Sequence, residues 1–401
     1  MKTIGIVAEY NPFHLGHEYH IRESRRLAGE ESAVVAVMSG DFVQRGEAAA
    51  FSKHARAEAA CRCGADLVIE LPLPWSIASA EGFADGAVQL LAALGSDTLS
   101  FGCEKTDLGE LEDIASLLTE PTFLEETKEL LKAAPARSYA SARQEATERR
   151  LGRPLAVLQQ PNSILALEYL KAVHRHGFSL TPLPILRKGA GHDETGEAEG
   201  LLSASELRRR LGTGEKTEDF MPGEATAVYA EETEAGRMAH DRKRQDLLML
   251  SRLRFLKEED YLSLPDAGDG LGSRIWSAVK TACSYEEILA SAATRRFPLA
   301  RVRRCCVAAA LGVNAGDRLS AVPYARVLAF DERGRALLRE AAQRGQIPIL
   351  TKTAHVSGLE EQAQRVFDLG ARAHDFYTLN YRKEEERSCG EDWRRGPAVC
   401  T

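Results

Sequence analysis

The feature that most constrains this chain is a series of short apolar runs near its start, each followed by a helix-like stretch. Ala33-Val34-Val35-Ala36-Val37-Met38 has no polar alternation and closes on Ser39-Gly40-Asp41. Such a run reads as a strand buried on both faces. Thr3 to Ala8, Ala65 to Leu71 and Thr98 to Gly102 read as strands too, and Ser179 to Leu186 as a further one. Between them, Gly16 to Leu27, a segment capped by Ser52 and ending near Gly64, Ile77 to Leu94 and Pro161 to Gly177 carry helical spacing and stop signals. Strands alternating with helices predict a doubly wound α/β layer with a parallel sheet, and such sheets bind ligands at the carboxyl ends of their strands.

The rest of the chain reads differently. Residues from about Leu108 to Arg150 look helical and charged, and Lys188 to Gly200 is a Gly- and acid-rich loop. Ser203 to Leu211 reads as a short helix and Gly212 to Glu224 as a linker. Helical segments follow over Arg242 to Phe255, Ser273 to Thr281, Tyr285 to Ala292 and Leu299 to Leu311. A strand-helix-strand unit comes next, with Arg326 to Phe330, Arg333 to Arg344 and Ile347 to Leu350. The pattern predicts a catalytic α/β domain over residues 1–211 and a mainly helical domain with a small α/β unit over 225–381. It leaves a polar, disordered tail over 382–401.

Composition narrows the classes. A chain of 401 residues with 44% apolar and 28% charged residues is ordinary for globular domains. No apolar run approaches the ~20 residues that span a bilayer, and the amino-terminal run breaks at Glu9 without a cleavage pattern. The eight cysteines form no C-x-x-C pair and no Cys/His zinc spacing, which points to reduced thiols in a cytoplasmic protein with no structural metal. With a net charge of −7, a nucleic-acid partner would need a local basic surface.

The chemistry concentrates in Glu9-Tyr10-Asn11-Pro12-Phe13-His14-Leu15-Gly16-His17, which ends the first strand and opens a helix. A helix amino terminus offers free N–H groups and a positive dipole end, which suits phosphate. His14 and His17, three apart, can both donate to one phosphate, and Gly16 lets the backbone come close. The competing reading is two surface histidines at a helix start. A second helix start, Leu202-Ser203-Ala204-Ser205-Glu206-Leu207-Arg208, reads either as an N-cap with a capping box or as a grip on β and γ phosphates by Ser203, Ser205 and Arg208. Asp41 is either a turn former or a group that orients the attacking species or a Mg²⁺ shell. Lys53 and Arg56, one turn apart, are either a solvated helix face or part of the active site, steering ATP or binding RNA backbone. Arg295, Arg296, Arg301, Arg303 and Arg304 form the densest positive run, with Phe297 beside it, and Arg242, Lys243 and Arg244 form a second patch.

These strings resemble the H-x-G-H nucleotidylyltransferase superfamily. Met38 to Glu47, Gly64 to Pro72, Phe101-Gly102-Cys103-Glu104, Gln160-Pro161-Asn162-Ser163 and Thr294-Arg295-Arg296-Phe297 are similar, more particularly, to the bacterial tRNA(Met) cytidine acetate ligase family. The resemblance runs up to about Tyr381. It implies that ATP, accompanied by Mg²⁺, and acetate give acetyl-adenylate and pyrophosphate. The acetyl group would then pass to N4 of the wobble cytidine of elongator tRNA(Met). It maps the ATP site onto Val7, Ala8, Glu9, Tyr10, Asn11, Pro12, Phe13, His14, Leu15, Gly16, His17, Glu18, Tyr19 and His20, with Gly102, Asn162 and Arg187. The stretch Lys188 to Asp193, with His192, and the tail with Cys389 and Cys400 depart from the family pattern. A small-molecule adenylyltransferase without an RNA partner is the alternative. The half of the chain beyond the linker, which carries the arginine clusters, weighs against it.

Overall fold

The computed structural model describes all residues except Lys105, Pro135, Ala136, 188–200 and His240. The Gly-rich stretch with Lys188 and His192 therefore lies outside the described residues.

The body of the fold is the expected parallel sheet. Its strands are β1 (Thr3–Ala8), β2 (Ala33–Ser39), β5 (Leu67–Leu71), β6 (Thr98–Cys103) and β7 (Thr181–Leu186). They run in the order β5-β2-β1-β6-β7, all parallel. Every residue of β2 is buried, as its unbroken apolar run requires. β7 carries Pro182 and Pro184, which lack the N–H of a ladder residue; among the described residues it pairs only with β6, on the edge. The chain winds outward from β1 through β2 to β5, then returns to place β6 on the other side of β1. The order reverses between β1 and β6, so a crevice opens at their carboxyl ends.

The carboxyl-terminal half corrects the sequence expectation in two places. The strand-helix-strand unit does not stand with the helical bundle. Its strand β8 (Ala325–Phe330) adds antiparallel to β5, with β9 (Ile349–Leu350) and β10 (Ala398–Val399) parallel to β8. The first sheet thus gains an antiparallel flank from residues far along the chain. The tail over 382–401 is ordered rather than disordered. It forms short turns at Glu384–Glu386 and Glu391–Trp393, stacks Trp393 edge-on to Phe367 at 4.8 Å, and ends in β10. Its polarity misleads because its charges have buried partners, as set out below.

Helices Arg242–Arg254, Leu271–Val279, Tyr285–Ala292 and Leu299–Leu311 share a separate apolar core that includes Leu253, Tyr261, Leu271, Ile275, Ile288 and Val302. Helix Glu361–Thr378 contributes to both cores, with Phe367 in one and Tyr377 in the other. Helix Gly223–Glu234, which the sequence pattern does not announce, packs on helix Lys53–Arg62 through Tyr229, stacked 4.3 Å from Phe51. The eight cysteines are all free, and no described helix is long and apolar enough to cross a membrane.

Candidate active site

A cavity of about 410 Å³ opens at the β1/β6 crevice. Its walls are the ends of β1, β6 and β7, the starts of helices Leu15–Ala28, Pro161–His176 and Ala204–Thr213, and the hairpin β3 (Phe42–Val43) and β4 (Glu47–Ala48). Of the residues assigned to ATP from the sequence, Val7, Ala8, Glu9, Tyr10, Asn11, His14, Gly16, His17, Tyr19, His20, Gly102, Asn162 and Arg187 line it. Pro12, Phe13, Leu15 and Glu18 are not among the lining residues; Phe13 is in the core instead.

The two histidines of the opening loop cap the helix with their own rings. His14 is the N-cap, and its Nδ1 accepts the Gly16 N–H at 3.0 Å. His17 Nδ1 accepts the His14 N–H at 3.3 Å. Each ring therefore takes a backbone proton at Nδ1, which fixes its neutral tautomer with the proton on Nε2. The rings lie 3.8 Å apart and tilt by 32°, and each keeps an Nε2–H donor beyond its backbone bond. Gly16 is required here, because a Cβ would sit 2.8 Å from His14 Cε1. Burial, then the nearby Arg187 and Arg208 charges, pushes His14 down to about 3. Burial and His14 push His17 well below its ordinary value, and burial and Arg187 bring His20, bonded to Ser100 at 2.9 Å, to about 4. These are neutral donors in a field of guanidinium charge, a pocket built for an anion.

The loop between β1 and the helix is held from three sides. Tyr229 Oη accepts the Phe13 N–H at 2.9 Å, Asn11 Oδ1 accepts the Ala50 N–H at 2.9 Å, and Arg208 donates to the Asn11 carbonyl at 2.8 Å. Ser203 is the N-cap of its helix: Oγ accepts the Glu206 N–H at 3.2 Å and lies 3.0 Å from Ser205 Oγ. Glu206 turns outward to Arg209 and Arg210, so only half of the capping box forms. Ser203 and Arg208 line the cavity, while Ser205 is not among the lining residues.

On the opposite wall, Glu104 organises Asn162 and Ser163. It accepts Asn162 Nδ2 at 2.6 Å, the Ser163 N–H at 3.0 Å and Ser163 Oγ at 2.6 Å, and Arg187 donates to Asn162 Oδ1 at 3.2 Å. Sequence reasoning quoted Glu104 without giving it a role. Its position at the end of a strand, like Glu9, was the available signal.

Asp41, Lys53 and Arg56 do not reach the cavity. Lys53 is 0% exposed, with Nζ 2.8 Å from Glu70 and 2.5 Å from Asp392. Asp41 accepts the Lys53 N–H at 2.7 Å and His374 Nδ1 at 2.8 Å. Arg326 reaches Glu70 at 2.9 Å and Asp392 at 2.7 Å, and His54 meets Asp392 at 2.9 Å. Burial would raise Asp41 and lower Lys53, but His374 holds the first far down, and Asp392 and Glu70 hold the second up. Arg56 is buried and donates to the carbonyls of Glu9, Ser39, Gly40 and Phe51, tying together the ends of β1 and β2. The proposed catalytic roles of Asp41 and Lys53 give way to a buried charge network, because their charges are already neutralised by protein groups. Ligating atoms of His54, His374 and Glu391 lie within 4.8 Å of one another. Both ring nitrogens of His374 face carboxylates, which overcome burial and hold the imidazole charged up to about 10. That arrangement holds a proton where a metal would need a lone pair.

The basic run divides. Arg303 pairs with Glu47 of the cavity-lining hairpin. Gly46, at φ +74°, lies so close that a Cβ would sit 2.6 Å from Arg304 N. Arg301 caps the carbonyl of Asp266 at 2.9 Å, while Arg295 and Arg296 are exposed. Helix Leu299–Leu311 therefore adjoins the cavity mouth. Phe297 is in the core, and Arg244 is used on the carbonyl of Tyr381 at 2.6 Å.

A doubly wound sheet with paired imidazoles at its switch point defines a nucleotidylyltransferase, and residues 1–392 match the family model described as HIGH Nucleotidyl Transferase. A Syntrophotalea carbinolica protein named tRNA(Met) cytidine acetate ligase is 40% identical, covering 94% of this chain and 90% of its own. One of the same name from Acetivibrio thermocellus is 35% identical, covering 98% of each. The crystal structure of Thermotoga maritima TmcAL superposes with a TM-score of 0.94 at 29% identity, covering 100% of this chain and 99% of that one. Its form bound with alpha-thio ATP gives 0.91 at 28% identity over the same shares. The chain belongs to the tRNA(Met) cytidine acetate ligase family of HIGH nucleotidyl transferases.

Proposed function

We propose that this enzyme activates acetate with ATP and transfers the acetyl group to N4 of the wobble cytidine of elongator tRNA(Met). The observation that carries the first half is the pair of adjacent His14 and His17 rings at the sheet's switch point, each with its Nδ1 taken by a backbone N–H and its Nε2–H left to donate. In-line attack of acetate on the α-phosphorus needs positioning and stabilisation of developing charge, which such donors supply without covalent chemistry. Ser203 and Arg208 face the leaving pyrophosphate. Asn162 and Arg187, set by Glu104, hold the nucleoside side. Magnesium accompanies the triphosphate; Asp41 does not contribute to its shell, since Lys53 N–H and His374 occupy its two oxygens.

The second half rests on the names of the relatives and on the basic helix beside the cavity mouth. Arg303 ties helix Leu299–Leu311 to the cavity-lining hairpin, and the exposed Arg295 and Arg296 just before that helix offer phosphate contacts. Such a reaction belongs in the cytoplasm, where tRNA and ATP are at hand. The test is purified protein with ATP, labelled acetate and unmodified tRNA, followed by nucleoside analysis. N4-acetylcytidine supports the reading. Acetate-dependent ATP–pyrophosphate exchange without any labelled nucleoside would favour a small-molecule adenylyltransferase.

A further inference from the structure

Acetyl transfer to an amine releases a proton, and the cavity has few groups able to take it. Its phenols are Tyr10, Tyr19 and Tyr169, and burial pushes Tyr10 and Tyr169 above their ordinary values, so that these two stay protonated. Its histidines, His14, His17 and His20, are made poor bases by burial and guanidinium charge. Among the described residues two carboxylates line the cavity, Glu9 and Glu47. Glu47 is engaged by Arg303. Glu9 stands directly after β1 at the switch point, and its Oε1 accepts the Gln44 N–H at 3.0 Å. Its Oε2 has no hydrogen bond among the described residues.

We propose that Glu9 is the base that removes the N4 proton of the cytidine during acetyl transfer. This rests on the function proposed above. The N4 lone pair forms a C–N bond at the acetyl carbonyl carbon. The bond from that carbon to the phosphate oxygen breaks, and AMP leaves with its electron pair. One N4 proton passes to Glu9 Oε2 and from there to solvent. The groups facing Glu9 suit it to the task. Burial raises its carboxyl, while Arg208 from one helix, the Gln44 N–H and Arg45 from the hairpin, and Arg56 from another helix oppose that rise; Tyr169 faces it from a fourth element. A carboxylate moved toward neutrality accepts a proton more effectively than an ordinary one. Gln44 fixes its orientation from the same hairpin whose Glu47 touches the basic helix, so the base lies between the nucleotide and the RNA side.

The experiment compares Glu9→Gln with the parent enzyme in two assays, acetate-dependent ATP–pyrophosphate exchange and single-turnover acetyl transfer to tRNA across pH. Glutamine can still accept the Gln44 N–H, so the loop keeps its tie. The expected result is a fall in the ratio of transfer to exchange of about 10²–10⁴-fold. The rising limb of the transfer–pH profile should vanish as well. Glu9→Asp, which keeps a carboxylate, should recover part of the transfer rate. An unchanged ratio, a preserved rising limb, or an aspartate no faster than glutamine would overturn the proposal. Absence of acetate-dependent exchange in the parent enzyme would instead remove the functional reading beneath it.

Discussion

Histidines stand near the carboxyl ends of these strands in two settings, one neutral and one positively charged. His14, His17 and His20 are neutral, each set by hydrogen bonds to backbone or hydroxyl groups and surrounded by arginine. His374 is an imidazolium between Asp41 and Glu391. The first group has donors left over for a ligand. In the second, both ring nitrogens are already matched by carboxylates. A polar residue near a strand end is therefore a site only when the protein leaves its charge or its donors unmatched.

The largest effect that could break this comparison is on stability. Asp392→Ala leaves Lys53 and Arg326 buried with one carboxylate fewer and should cost about 3–5 kcal/mol. Chemical denaturation would show it; a variant as stable as the parent would mean the network does not hold the tail. Next, His17→Ala should slow acetate-dependent exchange by about 10²–10³-fold, the usual loss for one preorganised donor. Its denaturation midpoint should move only by the loss of part of a cap, about 0.5–2 kcal/mol. Equal damage to rate and stability would erase the distinction between the two groups.

Acidity sharpens the contrast because the two groups weaken the fold at opposite ends of the pH scale. His14 and His20, depressed to about 3 and about 4, bind fewer protons folded than unfolded. Their share of stability is present above the unfolded value near 6.5 and is lost as pH falls. His374, raised to about 10, binds more protons folded; its share is full below about 6.5 and is lost as pH rises toward 10. Each pH unit inside such a window is worth about 1.4 kcal/mol per group. Replacing His374 with Gln should flatten the alkaline side of a stability–pH curve and leave the acid side sloping.

The same contrast explains what could be read in advance. The buried strands were legible because a run such as Val34 to Met38 suits a two-sided sheet and little else. The His14/His17 loop was legible because a strand end, a glycine and a helix start coincide there. Asp41 and Lys53 were misassigned because their partners, His374 and Asp392, lie more than 330 positions away. Local pattern carries no trace of such pairing. The antiparallel docking of β8 on β5 and the ordered tail were hidden for the same reason. A polar sequence looks disordered until the buried countercharges are known.

A smaller effect concerns the basic run, where Arg295 and Arg296 are exposed, Arg296 lying 3.5 Å from the exposed Asp269, while the partly buried Arg301 and Arg303 are bonded to Asp266 and Glu47. Arg295→Gln with Arg296→Gln should weaken tRNA binding and lower the slope of log affinity against log salt by up to about 0.7–0.9 per lost phosphate contact. Arg303→Gln should behave differently, because it breaks the tie to Glu47 and disturbs the hairpin that carries Gln44. A salt titration of gel-shift affinity for each variant separates the two. Identical slopes would mean that the exposed pair is not at the RNA.

The smallest expected difference decides between the two readings of the second helix start. Ser203 already serves as an N-cap, so Ser203→Ala should cost about 1 kcal/mol of stability whatever its role with ATP. The Ser205 hydroxyl lies 3.0 Å from that of Ser203. If the serines also grip the leaving phosphates, both variants raise the KM for ATP in the exchange assay. The rise should be larger for Ser203, which lines the cavity, than for Ser205, which is not among the lining residues. If Ser203 is a cap alone, its variant melts earlier while the KM for ATP stays at the parent value, and the pyrophosphate then depends on Arg208 and the histidine pair.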